Sequence, residues 1–220
     1  MELILDTADA HAVGELSEML TVSGVTTNPT IITRSGKTPK QVFDEMNEVL
    51  VPEQKLFMQT VSTDYEGMMA EGRQICALRK NMYAKVPVTH EGLRAIRQLK
   101  REGLGVLATA IYSADQGFFA AMNGADYLAP YVNRMCTYGD GVQAVRELQE
   151  MLELNMLPAT ICAASFKNGN QVHELIRAGV GAVTVPPDVI HAMLDHPGTK
   201  IAVDEFSAAR SAAFGRGTLS

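Results

Sequence analysis

A lysine stands inside a stretch that ought to be wholly apolar. Lys85 occurs in Tyr83-Ala84-Lys85-Val86-Pro87-Val88, which has the make-up of a strand covered on both faces, where near-continuous apolar runs are the rule. Burial disfavours the ammonium form, so an amine held there gives up its proton more readily and can attack a carbonyl carbon. The chemistry predicted is formation of a Schiff base. A structural reading competes with it, in which Lys85 reaches a rim with its stem buried or pairs with Asp6.

Other polar groups recur at the ends of strand-like runs. Asp6 closes the first run, Thr26-Thr27-Asn28-Pro29 follows the second, and Gln59 lies in the third. Thr109 belongs to the fifth, Tyr131-Val132-Asn133-Arg134 ends the sixth, and Ser165 follows the seventh. Asp6 could shuttle protons at a Schiff-base carbon, or simply start a turn or cap a helix. Arg134 could fork onto a phosphate with Ser165 donating to the same anion, or sit in a surface salt bridge.

These groups need a scaffold that brings strand ends together. Eight short β-rich runs (3–6, 24–27, 56–60, 83–88, 105–110, 127–131, 160–164 and 182–185) alternate with helical spacing at 9–20, 39–50, 64–79, 91–102, 114–123, 142–154 and 170–178. Gly103, Gly124 and Gly179 each fall between a helical run and the next strand, where a left-handed C-cap belongs. Strict alternation implies parallel strands joined by helical crossovers. Eight units at about 25 residues each predict a closed (β/α)8 TIM barrel, with an open doubly wound sheet as the alternative. Active sites of such barrels lie at the C-terminal strand ends, where these polar groups collect. After the eighth strand, Pro186 and Pro187 break the chain, a short helix covers 189–194, and a surplus helix covers 200–214. One domain, 1–220, is therefore expected. Its 199–220 helix and tail would either contact a neighbouring subunit or pack on the same barrel.

Composition narrows the function classes. The 220 residues include 46% hydrophobic and 20% charged residues, with 18 Gly and 9 Pro, which is globular rather than disordered. A net charge of -6 argues against nucleic acid and polybasic membrane-surface partners, since both need a cationic field. Cys76, Cys136 and Cys162 are scattered and lack CxxC spacing, which suits a reducing compartment and indicates neither disulfides nor zinc. His11, His90, His173, His191 and His196 show no HExxH or facial-triad spacing, so no metal is expected. The opening has no basic n-region and no apolar run approaches a membrane span, so a cytoplasmic location is the expectation. Gly103-Leu104-Gly105-Val106-Leu107-Ala108 imitates a dinucleotide fingerprint, but it comes after a helix and precedes a strand, the reverse of the required order. The nucleophile elbow of serine hydrolases is missing as well.

Nearly the whole chain resembles the fructose-6-phosphate aldolase group of the small transaldolase family. The resemblance is carried by Leu5-Asp6-Thr7, Gly24-Val25-Thr26-Thr27-Asn28-Pro29, Lys85-Val86-Pro87-Val88-Thr89, 112–117, Ala129-Pro130-Tyr131-Val132-Asn133-Arg134, Ala163-Ala164-Ser165-Phe166-Lys167 and Ala213-Phe214-Gly215-Arg216. It implies a metal-free, cofactor-free class I aldolase that cleaves fructose 6-phosphate reversibly to dihydroxyacetone and glyceraldehyde 3-phosphate through Lys85. On this resemblance Asp6 is the acid/base group, Gln59, Thr109 and Tyr131 hold a water used in proton transfer, and Asn28 binds the dihydroxyacetone hydroxyls. Arg134 and Ser165 hold the phosphate. Similar transaldolases carry glutamate, phenylalanine and asparagine at the positions of Gln59, Tyr131 and Leu107, so the resemblance favours the aldolase over dihydroxyacetone transfer. It also implies a ring-based homo-oligomer, a decamer in the family. Met135-Cys136-Thr137-Tyr138-Gly139-Asp140-Gly141 departs from the family, which usually has an acidic residue at Cys136 and a slightly longer loop. A sulfonated sugar therefore stays open as substrate, as does a barrel that binds sugar phosphates without turnover.

Overall fold

The structure is a computed structural model, described over residues 1–215. Eight strands, β1 (Glu2–Asp6), β2 (Gly24–Thr26), β3 (Lys55–Gln59), β4 (Met82–Pro87), β5 (Gly105–Ile111), β6 (Tyr127–Pro130), β7 (Thr160–Ala163) and β8 (Ala182–Val185), form a closed barrel in chain order. Every pairing is parallel, and β8 closes onto β1 through Leu3 opposite Val183 and Leu5 opposite Val185. The (β/α)8 expectation holds, and the open-sheet alternative is excluded by that closing pair.

The helices are α1 (Ala10–Met19), α2 (Pro29–Ser35), α3 (Pro39–Val49), α4 (Tyr65–Ala77), α5 (His90–Arg101), α6 (Ala114–Met122), α7 (Val132–Met135), α8 (Gly141–Leu154), α9 (Gly169–Arg177), α10 (Pro187–Leu194) and α11 (Pro197–Phe214). Their starts are written locally. Thr38 and Gln41 form a reciprocal capping box at α3, and Asp9, Asp64, Thr89, Ser113, Asp140 and Asn168 each accept a backbone N–H as N-caps. Gly103, Gly124 and Gly179 take φ of +76°, +89° and +79°, as their places after helical runs predict. Two short helices at the barrel mouth, α2 and α7, fall where the sequence reading placed no helix. Pro187, read as a break, instead occupies the first turn of α10, where its missing N–H costs nothing.

Alternation along the strands separates two apolar layers. Leu5, Val25, Leu56, Ala84, Val106 and Leu128 face outward under the helices, whereas Ile4, Phe57, Leu107, Tyr127, Cys162 and Ala182 fill the interior. The N-terminal end of the barrel is plugged by an ion pair. Lys55 Nζ donates to Glu2 Oε1 at 2.8 Å and the Tyr127 hydroxyl donates to the same oxygen at 3.0 Å. Above it the Phe57, Tyr83 and Tyr127 rings pack with centroids 4.9–5.4 Å apart. With that end filled, space remains at the C-terminal strand ends.

No described residue of α11 is buried, and Ile201, Val203 and Phe206 are exposed. Packing of this helix against its own barrel, one of the two sequence expectations, is therefore not what the structure shows. The last part of the expected 199–220 segment, 216–220 with Arg216, lies outside the described residues. No helix among the described residues is long and apolar enough to cross a membrane.

Candidate active site

Lys85 points inward because it lies two residues from the interior Tyr83 on β4, on the same face, with Ala84 between them turned outward, and its ladder neighbours are Gln59 on β3 and Leu107 on β5. It is 4% exposed, so it does not reach to the rim. Its Nζ donates 2.7 Å to the carbonyl oxygen of Thr27, beyond the end of β2. Burial pushes the amine below its ordinary pKa of 10.5, and the weaker opposing pull comes from Asp6, then Cys162. Among the described residues no direct ion pair joins Lys85 to Asp6, so the paired structural reading fails as well.

Asp6 ends β1 beside Thr26 of β2, its register partner. Burial raises its carboxyl above the ordinary 3.8, while the Lys85 charge and a hydrogen bond from Thr26 lower it. The Thr26 hydroxyl donates to Asp6 Oδ1 at 2.8 Å and lies 2.6 Å from the Thr184 hydroxyl. A hydroxyl has one hydrogen, so when Thr26 donates to Asp6 it is Thr184 that donates to Thr26. A buried amine and a half-buried carboxyl, each pushed toward its neutral form, therefore share one floor. Such a pair can attack a carbonyl and move protons beside it.

Thr109 and Tyr131 share a hydrogen bond of 3.0 Å between their hydroxyls, across β5 and the end of β6. Ala110, next to Thr109, has φ +56° where the β5–β6 register shifts, a bulge that re-aims the strand's last residues. Gln59 Oε1 is buried without a protein hydrogen-bond partner. The structure joins Thr109 to Tyr131 but joins Gln59 to neither, and neither Gln59 nor Thr109 is among the residues lining the cavity above Lys85.

A cavity of about 360 Å³ opens above the Lys85 floor, and Asp6, Asn28, Lys85, Tyr131, Arg134 and Ser165 all line it. Asn28 is the N-cap of α2, its Oδ1 accepting from Ile31 N at 3.0 Å, which leaves the amide nitrogen to donate elsewhere. Ser165, just past β7, adopts φ +64°, and its carbonyl oxygen accepts from Asn133 N at 3.1 Å. That bond ties the β6–α7 turn to the end of β7, placing Arg134 and Ser165 on one side of the mouth. The Arg134 guanidinium lies 4.8 Å from the Tyr131 ring centroid and donates to the Tyr112 hydroxyl at 3.4 Å, with no salt bridge among the described residues. Stacking of this kind leaves guanidinium N–H groups available to an anion.

Seven of the eight residues singled out from the sequence lie on the cavity wall or contact a residue that does, and Gln59 joins them only through its ladder pairing with Lys85. The wall also contains Arg34, Lys167, Thr184 and Asp188, which the sequence reading did not single out as site residues. For Arg34 a signal existed: Asn28-Pro29 is a cap with proline at N1, which announces a helix over the residues leading to Arg34. Cys136 is exposed on the α7–α8 turn, away from the wall, and Cys162 is buried in the barrel with its thiol pushed up to about 12 by burial. Among the described residues no cluster of three or more His, Cys, Asp or Glu could hold a metal ion.

Compared with solved structures, the chain is similar to a crystal structure titled the Amycolatopsis orientalis BexX/CysO complex. The TM-score is 0.60 at 16% identity, covering 100% of this chain and 93% of that one. At that identity the likeness is one of fold alone. Compared with known families, residues 3–217 match the transaldolase/fructose-6-phosphate aldolase family, so that almost the entire barrel, from β1 past α11, is covered by one match. A barrel with an interior lysine beside a carboxylate, matched over that span, is a member of the transaldolase/fructose-6-phosphate aldolase family.

Proposed function

We propose that this member is a Schiff-base aldolase that cleaves fructose 6-phosphate to dihydroxyacetone and glyceraldehyde 3-phosphate. The observation carrying the reading is the buried Lys85 amine, biased to its neutral form, on the floor of a cavity whose mouth presents Arg134 and Ser165. Lys85 attacks C2 of the open-chain ketose and the carbonyl oxygen leaves as water. The iminium then accepts the C3–C4 bonding electrons as the C4 hydroxyl loses its proton, releasing the aldehyde and leaving an enamine. Protonation at C3 and hydrolysis free dihydroxyacetone and restore the amine. Asp6 is the proton carrier of these steps, and Asn28 donates to the hydroxyls of the three-carbon unit. Arg134 and Ser165 hold the phosphate of the aldehyde half.

Dihydroxyacetone transfer is the second reading, and the Thr109–Tyr131 hydrogen bond disfavours it. A phenol in that position can hand a proton toward water and enamine, promoting release over retention for a second aldehyde. Borohydride reduction in the presence of fructose 6-phosphate tests the chemistry. A stable adduct on Lys85 is expected by peptide mass mapping, absent in Lys85→Met. Failure to trap any ketose would favour a binding barrel without turnover.

We also infer a ring-based homo-oligomer, a decamer, in which α11 covers a neighbouring subunit. Ile201, Val203 and Phe206, left exposed on a helix that buries nothing on its own barrel, support this. Native mass spectrometry reads the number of subunits, and a monomer would contradict it. Three free cysteines fit a reducing, cytoplasmic setting.

A further inference from the structure

Arg134 is held at the cavity mouth by tyrosines and by no carboxylate. None of the ion pairs among the described residues includes it. Its guanidinium lies 4.8 Å from the Tyr131 ring centroid, and its Nη1 donates to the Tyr112 hydroxyl at 3.4 Å. Arg134 and Tyr131 line the cavity, but Tyr112 is not among the residues that do. What Tyr112 contributes to a bound molecule, it contributes through Arg134.

The placement of Tyr112 is well determined. It is the first residue beyond β5, after the bulge at Ala110, and the Ile111 carbonyl oxygen before it accepts from Tyr131 N at 3.0 Å. Tyr112 N donates to Gln116 Oε1 at 2.8 Å, which ties the β5–α6 turn to the start of α6. Its ring meets Tyr131 and Tyr138 edge-on, with centroids 5.9 and 6.0 Å away. The phenol is therefore braced through its backbone and between two rings.

A guanidinium left free on a four-residue helix would lose rotamer freedom on closing over a phosphate, and that loss subtracts from affinity. A carboxylate could order it in advance only by competing with the phosphate for the same N–H groups. A phenol oxygen orders it, stays neutral and occupies one of its five N–H donors.

We propose that Tyr112 is a positioning residue for phosphate recognition, its hydroxyl holding the Arg134 guanidinium over Tyr131 ready for the phosphate of the aldehyde half. The inference rests on the assignment of Arg134 to that phosphate in the reading above. It makes Tyr112 a determinant of phosphorylated against unphosphorylated substrates, with no part in the bonds made and broken at Lys85.

The test uses Tyr112→Phe, which keeps the ring and removes the acceptor. Calorimetry with glycerol 3-phosphate, which has no carbonyl to react, reads phosphate binding apart from chemistry, and borohydride trapping of dihydroxyacetone reads Lys85 apart from phosphate. Kd for glycerol 3-phosphate and KM for fructose 6-phosphate should each rise about fivefold in Tyr112→Phe, the scale of one hydrogen bond. The kcat and the half-saturation for dihydroxyacetone trapping should stay within twofold. In an Arg134→Met background, read through kcat/KM, Tyr112→Phe should change nothing further. Unchanged Kd and KM, a loss of the same size in both backgrounds, or an equal loss in dihydroxyacetone trapping would overturn the role of Tyr112 and leave the aldolase reading standing. If glycerol 3-phosphate binding falls as expected but no ketose is trapped, the aldolase reading falls and the role of Tyr112 stands. If the unaltered chain binds no glycerol 3-phosphate, the role of Tyr112 is overturned together with the phosphate assignment of Arg134.

Discussion

The Nζ of Lys85 donates a 2.7 Å hydrogen bond to the carbonyl oxygen of Thr27, reaching from β4 over the β3 strand to the end of β2. One acceptor holds the amine at the cavity floor, and it is a backbone group that cannot take the proton away. The amine is thus positioned by a neutral partner while burial, the dominant influence, drives it toward its nucleophilic form. An ion pair would have done the opposite.

Replacing Lys85 with Met should abolish ketose trapping and turnover while raising thermal stability. A buried amine whose folded pKa lies below 10.5 binds fewer protons in the folded than in the unfolded chain, so stability rises with pH. The penalty is complete below the folded pKa and vanishes above 10.5, where the amine is neutral in both states. Thermal melts of both proteins between neutral and alkaline pH should therefore converge as pH rises. Parallel curves would mean that Lys85 is not buried as a strained amine.

Asp6→Asn removes the carboxylate whose charge pulls the Lys85 pKa upward. The pH dependence of trapping on Lys85 should shift to lower pH in the variant, since the amine then deprotonates more easily. Cleavage should nevertheless fall by about 10²-fold or more, as expected for loss of a general acid/base. Rate profiles for adduct formation and for product release separate the two effects. An upward shift would contradict the assigned interaction.

Tyr131→Phe deletes one side of the 3.0 Å bond to Thr109 without removing the ring on which Arg134 stacks. Phosphate binding should survive, so KM for fructose 6-phosphate should change little. The partition should move from free dihydroxyacetone toward transfer onto an added aldehyde. Product ratios with and without erythrose 4-phosphate measure this, and an unchanged ratio would remove Tyr131 from proton transfer.

Gly92 is the third residue of α5, soon after the strand that carries Lys85, and a Cβ there would overlap the carbonyl oxygen of Pro87. Gly92→Ala should cost about 1–3 kcal/mol of stability, the usual range for overpacking a rigid site. Backbone rather than a flexible side chain is in the way, so relief would displace the β4–α5 turn and Lys85 with it. Urea unfolding should show a lower midpoint with unchanged slope.

Much of this arrangement was legible in the sequence, for identifiable reasons. The barrel followed from alternation because a parallel strand needs a crossover, and the glycines at 103, 124 and 179 marked three of the returns, those to β5, β6 and β8. Lys85 stood out since an apolar covered strand tolerates no idle ammonium. For Arg34 only the helix was legible, from the Asn28-Pro29 cap; that Arg34 faces the cavity was not, because a seven-residue helix has too few turns to show periodicity and its facing depends on how α2 lies on the barrel. The strained backbone at Ala110 and Ser165 was equally hidden, since neither is a glycine and tertiary contacts impose both conformations. Gln59 was visible as a polar residue in a strand, yet its lack of a protein partner is a property of packing alone.

The most direct measurement is release of glyceraldehyde 3-phosphate per Lys85 from fructose 6-phosphate with no acceptor aldehyde present. Continuous release far beyond one equivalent, matched by accumulating dihydroxyacetone, is the result that the aldolase mechanism predicts. Release that stops near one equivalent and resumes when erythrose 4-phosphate is added would contradict it and identify a transaldolase.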